Sequence, residues 1–356
     1  MGAADGVPVA GTTTAEILSL LLARKNAKTE VVRRLALVDS LLPDGGNETL
    51  ALDPVFGTFV TFNAGFRSEL QELKAAVEAY AQKRRQPRPL NVLLAAAPGT
   101  GKSFLVKQLV FAIGPRAVFE EFYISSFRTR DDLTGVFQLA QSISLEGRLP
   151  IIFLDEVDSE VENRPLFTDL LAPMWDGRFF KGSERRTLGP AIFFFAGSDL
   201  LPAPTILAVL GSSPTPTNYP EFAGRWQEVV KKELLKGKVS KLRDFIDRSD
   251  LLLCVPPVDP VLADGDAKRE YWALACTIVR KYHESVRNVE KTAVWALARI
   301  MAETESRRVG ESVVFMSRMP PGKTFRFTDL PARTQNRFRG NRALERLGTA
   351  CFKLAP

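Results

Sequence analysis

Asn91-Val-Leu-Leu-Ala-Ala-Ala-Pro-Gly-Thr-Gly-Lys-Ser103 decides the fold of this chain. Its first part, Asn91 to Ala96, is a short, nearly unbroken apolar run, which is the mark of a strand buried on both faces. Pro98, Gly99, Thr100 and Gly101 break that run, and the apolar helix-forming stretch Phe104 to Phe111 follows Lys102 and Ser103 directly. Strand, glycine-bearing loop and helix in that order form the context in which a Gly-x-Gly-Lys-Ser sequence cradles phosphate. The glycines let successive backbone N–H groups and the positive end of the helix face the phosphate oxygens. Lys102 then reaches the β- and γ-phosphates, and Ser103 offers its hydroxyl to Mg²⁺. Ala96 stands where the motif usually opens with glycine, at the end of the strand, a position that seldom carries the chemistry.

Ile151-Ile-Phe-Leu154 is a second apolar run, and Asp155-Glu156 follows it at once. Two adjacent carboxylates at the end of a buried strand repel each other unless a cation compensates them. Asp155 suits Mg²⁺ held through its water shell, and Glu156 suits a base that orients and deprotonates an attacking water. Asp158 and Glu160 read as capping or surface acids.

Further apolar runs at Phe119 to Ile124, Ala191 to Ala196 and Leu251 to Val255 alternate with amphipathic helices, including Phe66 to Ala81. Continuous rather than alternating hydrophobicity predicts a largely parallel sheet sandwiched by helices, an α/β fold. Thr13-x-x-Glu16 is a capping box before a small helical extension over 1–48, which ends at the breaker cluster Pro43 to Asn47. The main α/β domain is expected over 49–257. Beyond Pro256-Pro257 the pattern turns helical, at Lys268 to Glu284, Val289 to Ala302 and Asn341 to Cys351, and predicts a small all-α domain over 258–356.

The chain has 356 residues, a hydrophobic content of 45% and a net charge of +7. That is enough to bury one large core and a smaller one. No run is long and apolar enough to span a bilayer and no basic-then-apolar leader opens the chain, so a soluble, cytoplasmic protein is expected. Cys254, Cys276 and Cys351 are far apart and without metal-ligand spacing, which supports neither a disulfide framework nor a zinc site. The single histidine, His283, reads as a surface or packing residue. Arginines concentrate late in the chain, from Arg307 to Arg346, and permit an acidic partner such as nucleic acid alongside plain solvated faces and subunit contacts.

From about Asp53 onward the chain resembles the AAA+ ATPases, a P-loop NTPase family. Asp169 to Ser183 followed by Leu188 to Asp199 looks like the helix, Asp-Gly hairpin and fourth strand of Clp-type unfoldases, and Asp176-Gly177 is a hairpin signal on its own terms. Leu171-Ala-Pro-Met174 with Asp176-Gly177, Ala191-Ile-Phe193 with Phe195-Ala-Gly197, and Asp244-Phe245 with Arg248 also resemble a bacterial group that brings no settled activity with it. The resemblance implies ATP and ADP with Mg²⁺ as ligands, ATP hydrolysis at the interfaces of a ring or partial ring of identical subunits, and remodelling of an unidentified protein partner. A slowly turning nucleotide switch and a nucleic-acid-stimulated loader stand as alternatives. It places the water-positioning sensor at Ser198 or Asp199. It places the arginine that reaches a neighbouring subunit's γ-phosphate at Arg248, with Arg243 second, and the lid arginine that senses nucleotide at Arg342. Pro98, Gly99, Thr100, Gly101, Lys102, Ser103 and Phe104 form the implied nucleotide cradle. Ser125 to Gly135 occupies the place of the first pore loop without the aromatic–hydrophobic–glycine pattern of protein-threading motors.

Overall fold

The computed structural model describes residues 45–61, 64–83, 86, 88–96, 99–197, 244–245, 247–255, 267–304, 307–320 and 322–354. In chain order the first part contains β1 (Glu48–Leu50), the hairpin β2 (Pro54–Phe56) and β3 (Phe59–Val60), α1 (Ala64–Gln82), β4 (Leu90–Ala95), α2 (Lys102–Ile113), β5 (Ala117–Tyr123), α3 (Asp131–Leu145) and β6 (Leu149–Asp155). Next come the short strands β7 (Glu160–Val161) and β8 (Arg164–Pro165), then α4 (Phe167–Asp176), the hairpin β9 (Arg178–Lys181) and β10 (Glu184–Thr187), β11 (Ile192–Gly197) and β12 (Leu251–Cys254). The last part holds α5 (Ala267–Tyr282), β13 (Asn288–Glu290), α6 (Lys291–Thr304), α7 (Arg307–Phe315), β14 (Thr324–Phe325), α8 (Ala332–Phe338), α9 (Arg342–Leu347) and β15 (Cys351–Leu354).

β4, β5, β6, β11 and β12 form one five-stranded sheet in the order β12-β4-β11-β6-β5, with every pairing parallel. The strands lack alternation because both faces are buried. Leu93, Ala95, Ile152, Leu154, Phe193 and Phe195 pack on one face with Leu133, Val136 and Phe137 of α3 and Leu170 of α4. Their sequence neighbours Val92, Leu94, Ile151, Phe153, Ile192 and Phe194 pack on the other with Leu70, Leu73 and Val77 of α1 and Leu105, Val106 and Leu109 of α2. Chain order and strand order part company beside β4, whose successor β5 lies at the far edge. In parallel sheets of this kind ligands bind at the carboxyl ends of the strands, at such a reversal.

The C-terminal part corrects one expectation, since it is not all-α. β1, β15, β13 and β14 pair in that order in a mixed four-stranded sheet. Strands of two to four residues are too short for periodicity to reveal, and β1 pairs with β15 from the opposite end of the chain, Glu48 beside Phe352. Leu50 accordingly shares a core with Trp272, Val289, Trp295, Phe325 and Phe352. Lys291, its side chain 1% exposed, meets Glu48 at 2.8 Å and lies over the Phe352 ring, so β1 is held by charge as well as by pairing. The helix expected to run to Cys351 ends at Leu347, and Gly348 with φ 52° turns the chain into β15. A second correction concerns Asp176-Gly177, which closes α4 instead of forming a hairpin tip. Gly177 sits in the left-handed region as its C-cap, and the β9–β10 turn falls at Gly182 and Ser183. The helical extension expected over most of 1–48 lies outside the described residues.

Candidate active site

Gly99 and Gly101 carry the loop after β4 through positive φ, 79° and 91°, which a residue with Cβ adopts only at a cost. Gly101 is the N-cap of α2 and its carbonyl accepts from the Leu105 N–H at 2.9 Å, so the helix begins at Lys102 with its first N–H groups pointing out of the loop. Lys102 is 7% exposed. A lysine held there needs a negative partner, and its Nζ lies 3.7 Å from Asp155 Oδ1 at the end of β6.

Burial pushes the Asp155 carboxyl above its ordinary range, and Lys102 works against that shift. The carboxylate also accepts the Glu156 N–H at 3.0 Å. Glu156 itself has φ 59°, a left-handed conformation that side-chain-bearing residues rarely take. The Val157 N–H bond to the Ala196 carbonyl at 2.9 Å pins the following turn to β11. Strain of this kind survives where its surroundings over-determine it, and such places are commonly functional.

A cavity of about 880 Å³ gathers the loop and its surroundings. Gly99, Gly101, Lys102, Ser103, Phe104 and Asp155 line it from the α/β part, and Leu52, Pro54, Gly57 and Thr58 from the chain just before. Thr277, Ile278, Arg280 and Lys281 of α5, Glu284 just beyond it, and Arg307, Arg308 and Glu311 of α7 close it from the C-terminal part. Its cations, Lys102, Lys107, Arg280, Lys281, Arg307 and Arg308, outnumber its acids, Glu121, Asp155, Glu284 and Glu311, which suits a polyanion. Glu156 lines an adjoining cleft with Asp155, Tyr123, Arg308, Tyr282 and Phe315.

The residues expected from the sequence divide into three groups. Gly99, Gly101, Lys102, Ser103, Phe104 and Asp155 share one cavity, with Thr100 buried in the loop and Glu156 next door. Pro98, Ser198, Asp199 and Arg243 lie outside the described residues. Arg248 and Arg342 line neither space. Arg342 is exposed at the start of α9. Arg248 is half-buried before β12, donates from Nη1 to the Asp244 carbonyl at 2.9 Å, and its own carbonyl accepts from Asn91 Nδ2. It therefore sits at the amino end of the sheet, roughly 15 Å of strand from its own chain's loop.

Arg307 was legible only as one charge among many, yet its Nη1 donates to the Thr100 carbonyl at 3.1 Å and ties α7 to the loop. Glu121, Tyr123 and Lys107 line the cavity too, and no sequence motif marks them, because an acid and a tyrosine on a strand and a lysine within a helix carry none. His283 is a packing residue, 7% exposed and set against the Phe325 ring.

Mg²⁺ prefers one or two protein ligands, substrate phosphates and retained waters to a full protein cage. Ser103 and Asp155 on one cavity fit that donor set, and a buried carboxylate opposed by a single lysine is one that a divalent cation would relieve. No group of three His, Cys, Asp or Glu side chains that could hold a metal ion occurs among the described residues.

A glycine loop that caps a helix after a buried parallel strand, with lysine and carboxylate meeting beneath it, defines a P-loop nucleotide-binding domain. Residues 92–177, within the α/β unit, match the family model for the AAA ATPases, the ATPase family associated with various cellular activities. The chain is 27% identical over 225 residues to an ATP-dependent zinc metalloprotease, FTSH 7, chloroplastic, of Arabidopsis thaliana, a match that takes in 59% of this chain. The chain spans about a quarter of that relative's length, 25%. A RuvB point mutant of Thermotoga maritima superimposes with a TM-score of 0.40 at 13% identity, over 70% of this chain and 60% of that one. No helix among the described residues is long and apolar enough to cross a membrane.

Proposed function

We propose that the chain binds Mg-ATP in the 880 Å³ cavity and hydrolyses it between assembled copies, using the cycle to remodel a partner macromolecule. The observation that carries this reading is the Lys102–Asp155 approach of 3.7 Å at the mouth of the glycine loop. Lys102 and the loop N–H groups would hold the β- and γ-phosphates, and Ser103 and Asp155 would hold the metal. Magnesium, when bound, neutralises charge on the phosphates; every other part of the work falls to the protein. Glu156 orients the attacking water and takes its proton. Ser198 or Asp199 would follow the end of β11 and help to place that water. Leu52, Pro54, Phe104 and Ile278 also line the cavity and would offer the base an apolar surface.

Arg307, anchored on Thr100 and shared with the C-terminal part, takes the nucleotide-sensing role that the resemblance had placed on Arg342. Arg248, remote from its own chain's loop, suits a γ-phosphate contact in a neighbouring copy. A guanidinium there spreads transition-state charge only after assembly, so turnover per subunit should rise with protein concentration. Turnover that stays constant from nanomolar to micromolar protein would remove the shared site. The exposed arginines on and between α8 and α9, Arg333, Arg339, Arg342 and Arg346, favour nucleic acid as the partner's class. Binding to single- and double-stranded oligonucleotides that weakens steeply with salt would support that choice, and no binding at low salt would remove it.

A further inference from the structure

Gly57 and Thr58 form the two-residue turn between β2 and β3, and both line the cavity together with Gln108 of α2. The turn is held from two sides. Beneath it the buried Phe56 and Phe59 rings stack at 5.9 Å, and Phe59 lies 6.2 Å from the Phe104 ring near the start of α2. On its flank, the Thr58 N–H donates to Gln108 Oε1 at 2.6 Å and the Thr58 hydroxyl donates to the same oxygen at 2.9 Å. Gly57, with φ 55°, permits this approach, since a Cβ there would run into Oε1. Gln108 follows Phe104 by four residues, so the two stand on one face of α2, a turn apart.

A backbone N–H can only donate, so its bond settles which end of the Gln108 amide faces the turn: the oxygen. An amide oxygen can only accept, and the one proton of the Thr58 hydroxyl is therefore directed at it. Thr58 Oγ1 keeps two lone pairs, and no donor among the described residues takes either. At Thr58 the cavity wall thus offers an acceptor and no proton. An amino group on a ligand meets such an oxygen as a donor. A carbonyl in the same place sets acceptor against acceptor, or must break the bond between Thr58 and Gln108.

We propose that Thr58, its hydroxyl oriented by Gln108, selects the base of the nucleotide: it favours a purine with an amino group at position 6, as in adenine, over one with a carbonyl there, as in hypoxanthine or guanine. Thr58 touches the base, and Gln108 is a positioning residue that acts through it. The inference rests on the reading of the cavity as a nucleotide site. Gln108 lies five residues beyond Ser103, about 7.5 Å along the helix axis, which is comparable with the separation of a nucleotide's base from its phosphates.

The test is calorimetric titration of the full chain, in Mg²⁺ buffer, with ADP, with purine riboside diphosphate, which lacks only the 6-amino group, and with IDP, which carries a carbonyl in its place. The expected order of affinity is ADP, purine riboside diphosphate, IDP, with ADP about 3- to 10-fold tighter than IDP, the usual net effect of one hydrogen bond. Thr58→Val exchanges the hydroxyl for a methyl and Gln108→Leu frees the hydroxyl to turn; each should bring ADP and IDP to within about twofold of one another. Thr58→Ser keeps the hydroxyl and should keep the preference. Should Gln108→Leu fail to fold by circular dichroism, the two variants of the exposed Thr58 carry the test. A preference for ADP that is absent from wild type, retained by a folded Thr58→Val or Gln108→Leu, or lost alike in Thr58→Ser and Thr58→Val overturns the inference. Wild-type protein that takes up none of the three nucleotides overturns the reading of the cavity instead.

Discussion

Glu156 occupies a left-handed backbone conformation that costs a residue with Cβ about 1 kcal/mol. Glycine would take the same conformation freely. Glu156→Gly should therefore unfold at slightly higher urea than wild type while losing turnover, the pattern of a site that sacrifices stability for chemistry. Glu156→Gln keeps shape and backbone cost and removes only the base; kcat should fall by about 10²- to 10⁴-fold with nucleotide affinity nearly intact. Turnover by Glu156→Gln at the wild-type rate would refute the role assigned to the carboxylate.

Glu69 offers a separate check, away from the site. It is 6% exposed on α1, neither carboxylate oxygen finds a hydrogen-bond partner among the described residues, and burial with Glu72 nearby pushes its pKa up to about 8. The folded protein thus keeps a proton that the unfolded chain has released, and stability falls as pH rises from the unfolded pKa near 4.5 toward 8. The slope should approach about 1 kcal/mol per pH unit, and Glu69→Gln should remove this contribution. Urea midpoints measured from pH 5 to 9 would show the two proteins diverging, and parallel curves would contradict the assignment. Nothing in the sequence distinguished Glu69 from the other acids of its helix, since its burial depends on where α1 docks. Lys102, Ser103, Asp155 and Glu156 were legible because a phosphate site demands those types at the ends of two strands. Arg307 was not, because its role depends on α7 lying over the loop.

The strands of the central sheet were readable chiefly because burial on both faces makes an apolar run, as in Ile192 to Gly197, although the edge strand β5 is half-buried and carries Glu120 and Glu121. Where burial is one-sided or the strand is short, that signal disappears: β13, β14 and β15 fall in a part that reads as wholly helical, and β1 at the boundary between the N-terminal extension and the α/β domain. Asp176-Gly177 shows a local signal with two meanings, since a left-handed glycine ends a helix as readily as it turns a hairpin. The loop before α2 bears the most exacting backbone demand. A Cβ on Gly101 would need φ near 91° and would come within 2.9 Å of the Arg307 guanidinium. That group is the movable end of a long side chain, so backbone strain dominates, and Gly101→Ala should cost about 1–2 kcal/mol of stability. Its nucleotide affinity should fall together with that of Arg307→Ala, since both disturb the contact between α7 and the loop. A urea midpoint and affinity for Gly101→Ala equal to wild type would contradict this account of the loop.

At the scale of the molecule, the cavity lies between two cores and draws its walls from both, with β1 fastened into the C-terminal sheet and the chain after it, Leu52 to Thr58, running along the cavity. A nucleotide in that position touches every part that could move relative to another. Arg248 sits at the far end of the sheet, so in the proposed shared site a second copy would supply it. Equal amounts of Glu156→Gln and Arg248→Ala, each inactive alone, should regain about a quarter of wild-type turnover on mixing, because one interface in four then pairs an intact Glu156 with an intact Arg248. No recovery would place Arg248 outside the reaction. The central claim is that a metal-bound triphosphate rests on Lys102 and Asp155, and calorimetry of Mg-ATP binding to wild type and to Lys102→Ala tests it most directly. Saturable uptake near one per chain, lost in the alanine variant, is the expected result; equal uptake by both folded proteins, or none by wild type, would contradict it.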